Sequence, residues 1–193
     1  RLEGKLGFDR VRTFVADRCS AEYAVTRVTE ERFSNDPKVI RERLALTDEM
    51  RLIVMFEENF PTNGYIDCLD FLKPLEKTGY TIDILSLGKL RTMVETVRKL
   101  TNFFMSIKDG VYPNLKRMSA PVLSFPEVQR RIDQILDKFG DVKDTASDKL
   151  LEIRRAIKTK EGAISKRANA ILKQAQADGL VDEDAGLSVR DGK

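Results

Sequence analysis

The sequence contains no histidine, and its only cysteines are Cys19 and Cys68. The lack of histidine removes the commonest general base near neutral pH, together with Ser-His and Cys-His nucleophile pairs. The two cysteines lack the spacing of a metal site, so we expect neither a zinc site nor a disulfide framework. We interpret Cys19, which lies between apolar helix positions, as a small core residue.

Phosphate-binding loops are also missing. The 11 glycines are scattered singly, and neither G-x-x-x-x-G-K-[ST] nor G-x-G-x-x-G occurs. Adjacent carboxylates such as Glu57-Glu58 are typical of solvated surface. We therefore expect no catalytic site, no metal and no cofactor within these residues. No apolar run approaches the ~20 residues of a bilayer span, and no apolar signal segment opens the chain, so we predict a cytoplasmic protein without membrane contact.

What is present favours helices. The chain has 193 residues, 41% hydrophobic and 34% charged, which suits one domain with an extension. Apolar residues recur at intervals of three and four. This spacing predicts a first helix over residues 6–19 and a second that ends at Val28. A third should run from an Asp36 cap to about Glu58. Three more are predicted over residues 69–77, 83–107 and 126–138.

These patterns predict an all-α fold, an antiparallel helical bundle with at most a short extended pairing over residues 139–142. The helix after Asp36 should bury Val39, Ile40, Leu44, Met50, Ile53 and Val54. Residues 109–126 contain three prolines and are predicted to be an extended loop.

The composition changes at Ser147. Ser147 is a good N-cap, and apolar residues then follow in one narrow stripe at Leu150, Ile153, Ile157, Ile164, Ala168, Ile171 and Ala175. Residues 149–177 carry eight cations and two acids, a net charge of +6, whereas residues 1–148 sum to zero. A thirty-residue helix is about 45 Å long, so its far end should project from a small domain.

The basic face of this helix has two interpretations. It is either ordinary solvated surface or a phosphate-binding surface for nucleic acid without base readout. In the second case the candidate nucleic-acid-binding residues are Arg154, Arg155, Lys158, Lys160, Lys166 and Arg167. Lys149 is a weaker candidate. The stripe suits a helix that leans on a single partner, and we expect Ile157, Ile164 and Ile171 to be exposed or covered by another copy.

Several segments resemble a known family. "LGFDRVRTFVADRCSAEYA" (residues 6–24) and "GDVKDTASDKLLEIRRAI" (residues 140–157) resemble bacterial MutS-like proteins of the second class, which lack the mismatch-reading domains. The second segment is similar to that family's pattern G-x-V-x-D-x-A-S-x-x-L-x-x-I-R-x-x-I. "GLSVRDGK" (residues 186–193) is similar to the start of the family's following strand.

The resemblance implies a helical core over residues 1–146, a long lever helix over 147–177 and the start of a clamp over 178–193. It further implies a homodimeric, ATP- and Mg-dependent full-length chain of the ABC type with a C-terminal nuclease domain. The implied partners are branched or mismatched DNA, in repair and recombination suppression, or ribosomal RNA of stalled ribosomes. The sequence begins without methionine and stops within a turn, so we expect a cut fragment. A structural coiled-coil adaptor without nucleic-acid contact is the alternative.

Overall fold

The computed structural model describes residues 2–188, and these residues form helices and turns without a strand. The helices are α1 Leu2–Lys5, α2 Phe8–Ala16, α3 Glu22–Glu30, α4 Pro37–Phe56, α5 Leu69–Leu72, α6 Ile84–Ser106, α7 Pro113–Ser119, α8 Pro126–Ile135 and α9 Asp148–Ala177. The predicted all-α fold is confirmed. Only isolated bridge residues, Leu136 and Val142, occur near the expected extended pairing.

The two long helices of the core both begin after an aspartate N-cap, of which Asp36 was predicted. Asp36 accepts a hydrogen bond from the Lys38 N–H at 2.8 Å, directly before Pro37. Asp83 accepts from the backbone N–H of Ser86 at 2.9 Å and from its hydroxyl at 2.7 Å. The hydrogen bond from the Ser86 hydroxyl is the main reason that the pKa of Asp83 is lowered.

The centre of the core lies where α4, α6 and α7 meet. Ile53, Phe103, Phe104 and Leu115 are buried together there. The rings of Phe103 and Phe104 meet edge to face with centroids 5.2 Å apart, which is a favourable aromatic geometry. The limits of α6, Ile84–Ser106, agree with the predicted range of residues 83–107.

The predicted buried face of α4 is wrong at three positions. Ile40, Leu44 and Val54 are exposed. Glu49 is buried instead, because its carboxylate accepts hydrogen bonds from the first turn of α7. The bonds come from Asn114 N–H at 3.1 Å, Asn114 Nδ2 at 2.6 Å and Leu115 N–H at 2.8 Å. A prediction from the spacing of apolar residues assigns every glutamate to the exposed face. It therefore could not identify the face of α4 that contains Glu49.

The extended loop predicted for residues 109–126 is also wrong, because α7 occupies its middle. Pro113 is the first residue of α7, where a proline costs no hydrogen bond. The side chain of Glu49 satisfies the N–H groups that this helix start leaves free. Glu49, which lies 65 positions before Asn114 in the chain, thus caps the start of α7.

The α8 helix packs on α6. Arg91 in α6 forms an ion pair with Asp133 at 2.8 Å and donates a hydrogen bond to the Asp137 carbonyl at 2.7 Å. The turn after α8 is closed by the Asp137 N–H, which donates to the Asp141 carbonyl at 2.8 Å. Arg91 therefore joins α6 to both α8 and its following turn.

The first three helices pack on one another, with Arg12 between them. Arg12 pairs with Glu3 at 2.9 Å and donates to the Glu31 carbonyl at 2.6 Å. No residue of α2 is buried, although the three-four spacing of its apolar residues is typical of a helix with one buried face. Cys19 lies in the turn after α2 and is only partly buried, in contrast to the expectation.

Cys68 is the buried cysteine, and burial is the main reason that the pKa of its thiol is raised. It lies at the start of α5, beside an apolar groove of about 890 Å³ between this helix and α6. Tyr65, Leu72, Met93 and Val97 contribute to the groove wall.

The chain divides into two compact units, Arg1–Asp141 and Val142–Lys193. The first contains α1 to α8, and the second contains α9 with the turns at its two ends. The expected domain limits at residues 146 and 177, and the assignment of 178–193 to a clamp, stay predictions. Residues 189–193, which include the whole "RDGK" turn, lie outside the described residues.

Candidate nucleic-acid interface

The long basic helix begins where its cap predicts. Ser147 has an extended backbone, and its hydroxyl accepts a hydrogen bond from the Leu150 N–H at 3.2 Å. Asp148 places a negative charge in the first turn, which the helix dipole favours. The predicted N-cap and helix start are therefore confirmed.

The other end of α9 is held by a glutamine. The helix has 30 residues, which corresponds to about 45 Å. The Nε2 group of Gln176 donates to the carbonyls of Glu183 at 2.9 Å and Ala185 at 3.2 Å. Gly179 follows with a φ of 69°, a left-handed conformation that glycine adopts without strain.

The apolar stripe of α9 is open to solvent in the structure. Ile153, Ile157, Ile164 and Ile171 are 45%, 49%, 67% and 63% exposed, respectively. No residue of the helix is buried. The expected exposure of Ile157, Ile164 and Ile171 is thus confirmed for the residues that the structure describes.

Four cations lie on the sides of α9 that face away from the stripe. Arg155, Lys166 and Lys173 are each two residues from a stripe isoleucine, which places them about 200° around the helix from it. Lys158 lies next to Ile157, about 100° further around the helix. We call Arg155, Lys158, Lys166 and Lys173 the outer face.

Lys160 and Arg167 lie on the side of the stripe. Each is three residues after one stripe isoleucine and four residues before the next, and side chains with these spacings are neighbours on a helix. We call this pair the seam cations. The six candidate residues therefore do not form one surface.

The outer face and the seam cations have no side-chain hydrogen bond or ion pair within residues 2–188, and all six side chains belong to exposed residues. Lys149 differs, since it pairs with Glu152 at 3.1 Å. Free exposed cations keep their full capacity to bind an anion. Their arrangement can therefore bind phosphates along several turns.

Arg154 is the candidate that the structure places in a different role. Its guanidinium donates to the Val142 carbonyl at 3.1 Å and pairs with the carboxylate of Asp144. These bonds connect the second turn of α9 to the short 3-10 helix Asp144–Ala146. Arg154 is thus engaged inside its own unit, and we assign to it a positioning role for the helix start.

Lys173 is a residue that the sequence-based candidate set omitted. It lies on the outer face with Arg155 and Lys166, at intervals of 11 and 7 residues, which are close to three and two helical turns. This spacing can be read from the sequence alone when residues 148–177 are drawn as a helical wheel.

Other site types have little support in the structure. Within residues 2–188 there is no group of three or more potential metal ligands. No helix described is both long and apolar enough to cross a membrane. The apolar groove beside Cys68 offers almost no polar group that could orient a substrate.

Comparison with known proteins gives a relationship along the whole chain. The chain is 25% identical over 195 residues to Endonuclease MutS2 of Listeria innocua, and equally similar to that of Listeria monocytogenes. It is 24% identical over 190 residues to Endonuclease MutS2 of a Geobacillus species. These alignments cover 97 to 100% of the chain. The chain is similar to MutS2 proteins over its whole length. No family model matches it.

The similarity to MutS2 proteins covers only part of those proteins. The chain spans about a quarter of the length of these relatives. The resemblance to the second MutS class is confirmed, and its signature segment at residues 140–157 covers the 3-10 helix, the Ser147 cap and the first ten residues of α9.

Proposed function

We propose that this chain is the helical core and long-helix part of a MutS-like nucleic-acid-binding protein, and that α9 contacts phosphate backbone. The observation that supports this most is the set of free, exposed cations on α9, in a segment whose net charge is +6. Phosphate contacts need cations without internal partners, and they carry no base preference.

Within α9 we assign the main phosphate contacts to the outer face. Arg155, Lys158, Lys166 and Lys173 share that side of the helix, and no acid lies on it between residues 155 and 173. Glu161 lies on the stripe side, and Glu152, three residues before Arg155, pairs with Lys149. Lys160 and Arg167 add to the local positive potential. Arg154 contributes less, because Asp144 already neutralises it.

The finer role follows from the homology and is part of the same proposal. The relatives are named as endonucleases. We propose that ATP hydrolysis and strand cleavage, if the longer protein performs them, depend on residues beyond this chain, and that α9 belongs to a clamp on DNA or ribosomal RNA. In that protein ATP, Mg and a homodimer would drive the clamp.

The test reverses three outer-face charges together, as Arg155→Glu, Lys158→Glu and Lys166→Glu. The unchanged chain should bind branched DNA with a Kd of about 10⁻⁴ to 10⁻⁶ M at physiological salt. The triple variant should bind more weakly, and the slope of log affinity against log salt should fall by about three units. Fluorescence anisotropy across a salt series measures both.

A matched control changes the net charge equally at another place. Lys38→Glu, Arg41→Glu and Lys77→Glu replace three exposed cations of the first unit. This control should keep most of the salt slope. Equal losses in both triple variants would show that net charge and not the outer face attracts the nucleic acid. An unchanged affinity in the outer-face variant would contradict the proposal.

The same series with a ribosomal RNA stem identifies the better partner class. Phosphate contacts act on both nucleic acids, so the preference shows itself in the relative affinities at one salt concentration. The coiled-coil adaptor is the alternative function, and the exposed isoleucine stripe favours it. An adaptor of this kind should show no salt-dependent nucleic-acid binding, whether as the unchanged chain or as either triple variant.

A further inference from the structure

A depression of about 780 Å³ lies in the first unit, between the start of α6 and the turn that follows α8. Phe139, Leu85 and Ile84 line it, and these large apolar side chains are 78%, 71% and 55% exposed, respectively. Exposed apolar residues that gather at one place with polar residues around them are typical of interaction sites. We call the depression lined by these three residues, Gly88, Lys89 and Lys138 the α6–α8 pocket.

The turn that contains Phe139 is closed by several hydrogen bonds. The Asp137 carboxylate accepts from the N–H groups of Phe139 at 2.8 Å and Asp141 at 3.0 Å. Arg91 of α6 donates to the Asp137 carbonyl at 2.7 Å, and Gly140 completes the turn with a φ of 90°. The backbone at Phe139 is therefore fixed before any partner binds, so that little of its conformational freedom is lost on binding.

The α6–α8 pocket is open at Gly88, in the second turn of α6. A β-carbon added at Gly88 would meet no atom within 4 Å, so the helix backbone there faces free space. Glycine weakens a helix interior relative to alanine, but it allows another molecule to approach the backbone closely. The pocket therefore has room for an inserted side chain.

The free charge at the α6–α8 pocket is positive. Lys89 and Lys138 line the pocket, and neither has an ion-pair partner within residues 2–188. The nearby carboxylates are already engaged: Asp83 by the Ser86 N–H, Glu95 by Lys99 and Asp133 by Arg91. A partner's carboxylates would therefore meet two unpaired cations beside apolar surface, which is a complementary arrangement.

We propose that the α6–α8 pocket binds an acidic segment of a partner protein, which inserts an apolar side chain against Phe139 and places carboxylates beside Lys89 and Lys138. The inserted side chain supplies contact area, because apolar anchors in pockets carry much of the binding energy of interfaces. The carboxylates select the partner and speed its encounter. All these residues belong to the first unit, so the inference does not rest on the phosphate contacts proposed for α9.

The α6–α8 pocket fits a protein segment better than an unpaired nucleotide. Bases bind to single-strand sites by stacking on aromatic faces, and among the residues described the pocket offers one aromatic ring, that of Phe139. The Lys138 ammonium lies over this ring, 4.8 Å from its centroid, and so takes up one of the two faces. The neighbouring Leu85 and Ile84 are aliphatic. They offer contact to an apolar side chain but no stacking surface.

Short synthetic peptides test the inference on the unchanged chain. The first peptide has a central leucine between aspartates and glutamates. The second replaces that leucine by serine, and the third keeps the leucine between lysines. The first peptide should bind roughly tenfold or more tightly than either of the others. Its affinity should fall as salt is added. Fluorescence anisotropy of the labelled peptides measures both effects.

Three variants alter the α6–α8 pocket in different ways. Phe139→Ala removes the aromatic side chain, Lys89→Glu with Lys138→Glu reverses the charge, and Gly88→Leu fills the open space. Each should weaken binding of the first peptide by about tenfold or more. The charge variant should also bind the lysine peptide more tightly than the first peptide. Gly88→Leu leaves the charge unchanged, and it should keep the helix because leucine is a better helix former than glycine.

The matched control makes the same kinds of change elsewhere on the first unit. It combines Phe33→Ala with Lys38→Glu and Lys77→Glu, since Phe33 is 76% exposed and both lysines are exposed. The control should keep the affinity for the first peptide. Circular dichroism of every variant shows whether its helices are intact.

Five results would overturn the inference. Three concern the peptides: equal binding of all three by the unchanged chain, no binding of the first at about 1 mM, or equal losses in the pocket variants and the control. The fourth is binding of an unpaired oligothymidylate that Phe139→Ala abolishes while the first peptide does not bind, which would assign the pocket to nucleic acid. The fifth is self-association, measured by sedimentation equilibrium, that Phe139→Ala abolishes, which would assign the pocket to a second copy of the chain.

Discussion

A single buried carboxylate, that of Glu49, decides how two core helices meet. It accepts hydrogen bonds from both backbone N–H groups at the start of α7 and from the Asn114 side chain. The N–H groups at a helix start have no partners within the helix, and burying them without an acceptor is costly. Glu49 therefore takes the place of a local N-cap, which Tyr112 does not provide.

Replacement of Glu49 by alanine should lower the free energy of unfolding by about 2 to 3 kcal/mol, because buried donors lose their acceptor. Glu49→Gln should cost less, since one acceptor oxygen remains. The measurement is urea unfolding followed by circular dichroism. The control is Glu42→Ala, an exposed position on the same helix, with an expected change within about 0.5 kcal/mol. Equal costs at residues 42 and 49 would contradict the capping role.

Arginine roles also differ between adjacent residues. Arg154 is engaged by Asp144 and the Val142 carbonyl, whereas Arg155 is exposed without a partner in the described chain. Composition treats the two as equal. The difference follows from the turn before α9, which lies on one side of the helix only.

At the scale of the element, α9 is a helix stabilised mainly from within. It has a side-chain cap and an acidic first turn but no buried residue. Gly162 lies in its middle, and a β-carbon added there would meet no atom within 4 Å. Glycine in a helix interior costs roughly 1 kcal/mol relative to alanine, so Gly162 is the weakest point of the element.

Gly162→Ala should stabilise α9 by up to about 1 kcal/mol, which corresponds to roughly fivefold slower exchange of its central amide hydrogens. Hydrogen exchange followed by mass spectrometry measures the change. Gly88→Ala in α6 is the matched variant, since a β-carbon there also meets no atom within 4 Å. An unchanged exchange rate in α9 would mean that the helix propensity of residue 162 does not limit the local unfolding of α9. That result is expected for a helix that is covered by a partner.

At the scale of the whole molecule, the two units differ in how their long helices are supported. In the first unit α6 buries Val94, Thr96, Phe103 and Phe104. In the second unit α9 buries nothing. Tertiary packing supplies most helix stability in proteins, and local opening is easiest where few side chains are buried.

The amide hydrogens of α9 should therefore exchange faster than those of α6, by roughly a hundredfold or more in the dilute chain. A dilution series distinguishes the causes of any protection. Protection of α9 that grows with protein concentration would indicate self-association through the stripe. Protection equal to that of α6 at every concentration would show that α9 is covered within the chain itself.

The sequence by itself determined the long helices. Asp36 and Ser147 are N-caps in the structure as predicted, and the helix predicted from residue 83 starts after its own N-cap, Asp83. Capping and three-four spacing act within a few residues, so the local sequence contains the needed information. The net charge of α9 and the spacing of its isoleucines are likewise properties of the local sequence.

Only the tertiary structure decided which faces are buried and which cations are free. The buried face of α4, the existence of α7 and the engagement of Arg154 each depend on a contact between residues that are distant in sequence or on different elements. Glu49 reads as surface until α7 lies against it. The free cations of α9 were separable from Arg154 only in three dimensions, because a side chain's partner depends on the direction in which the chain returns to it.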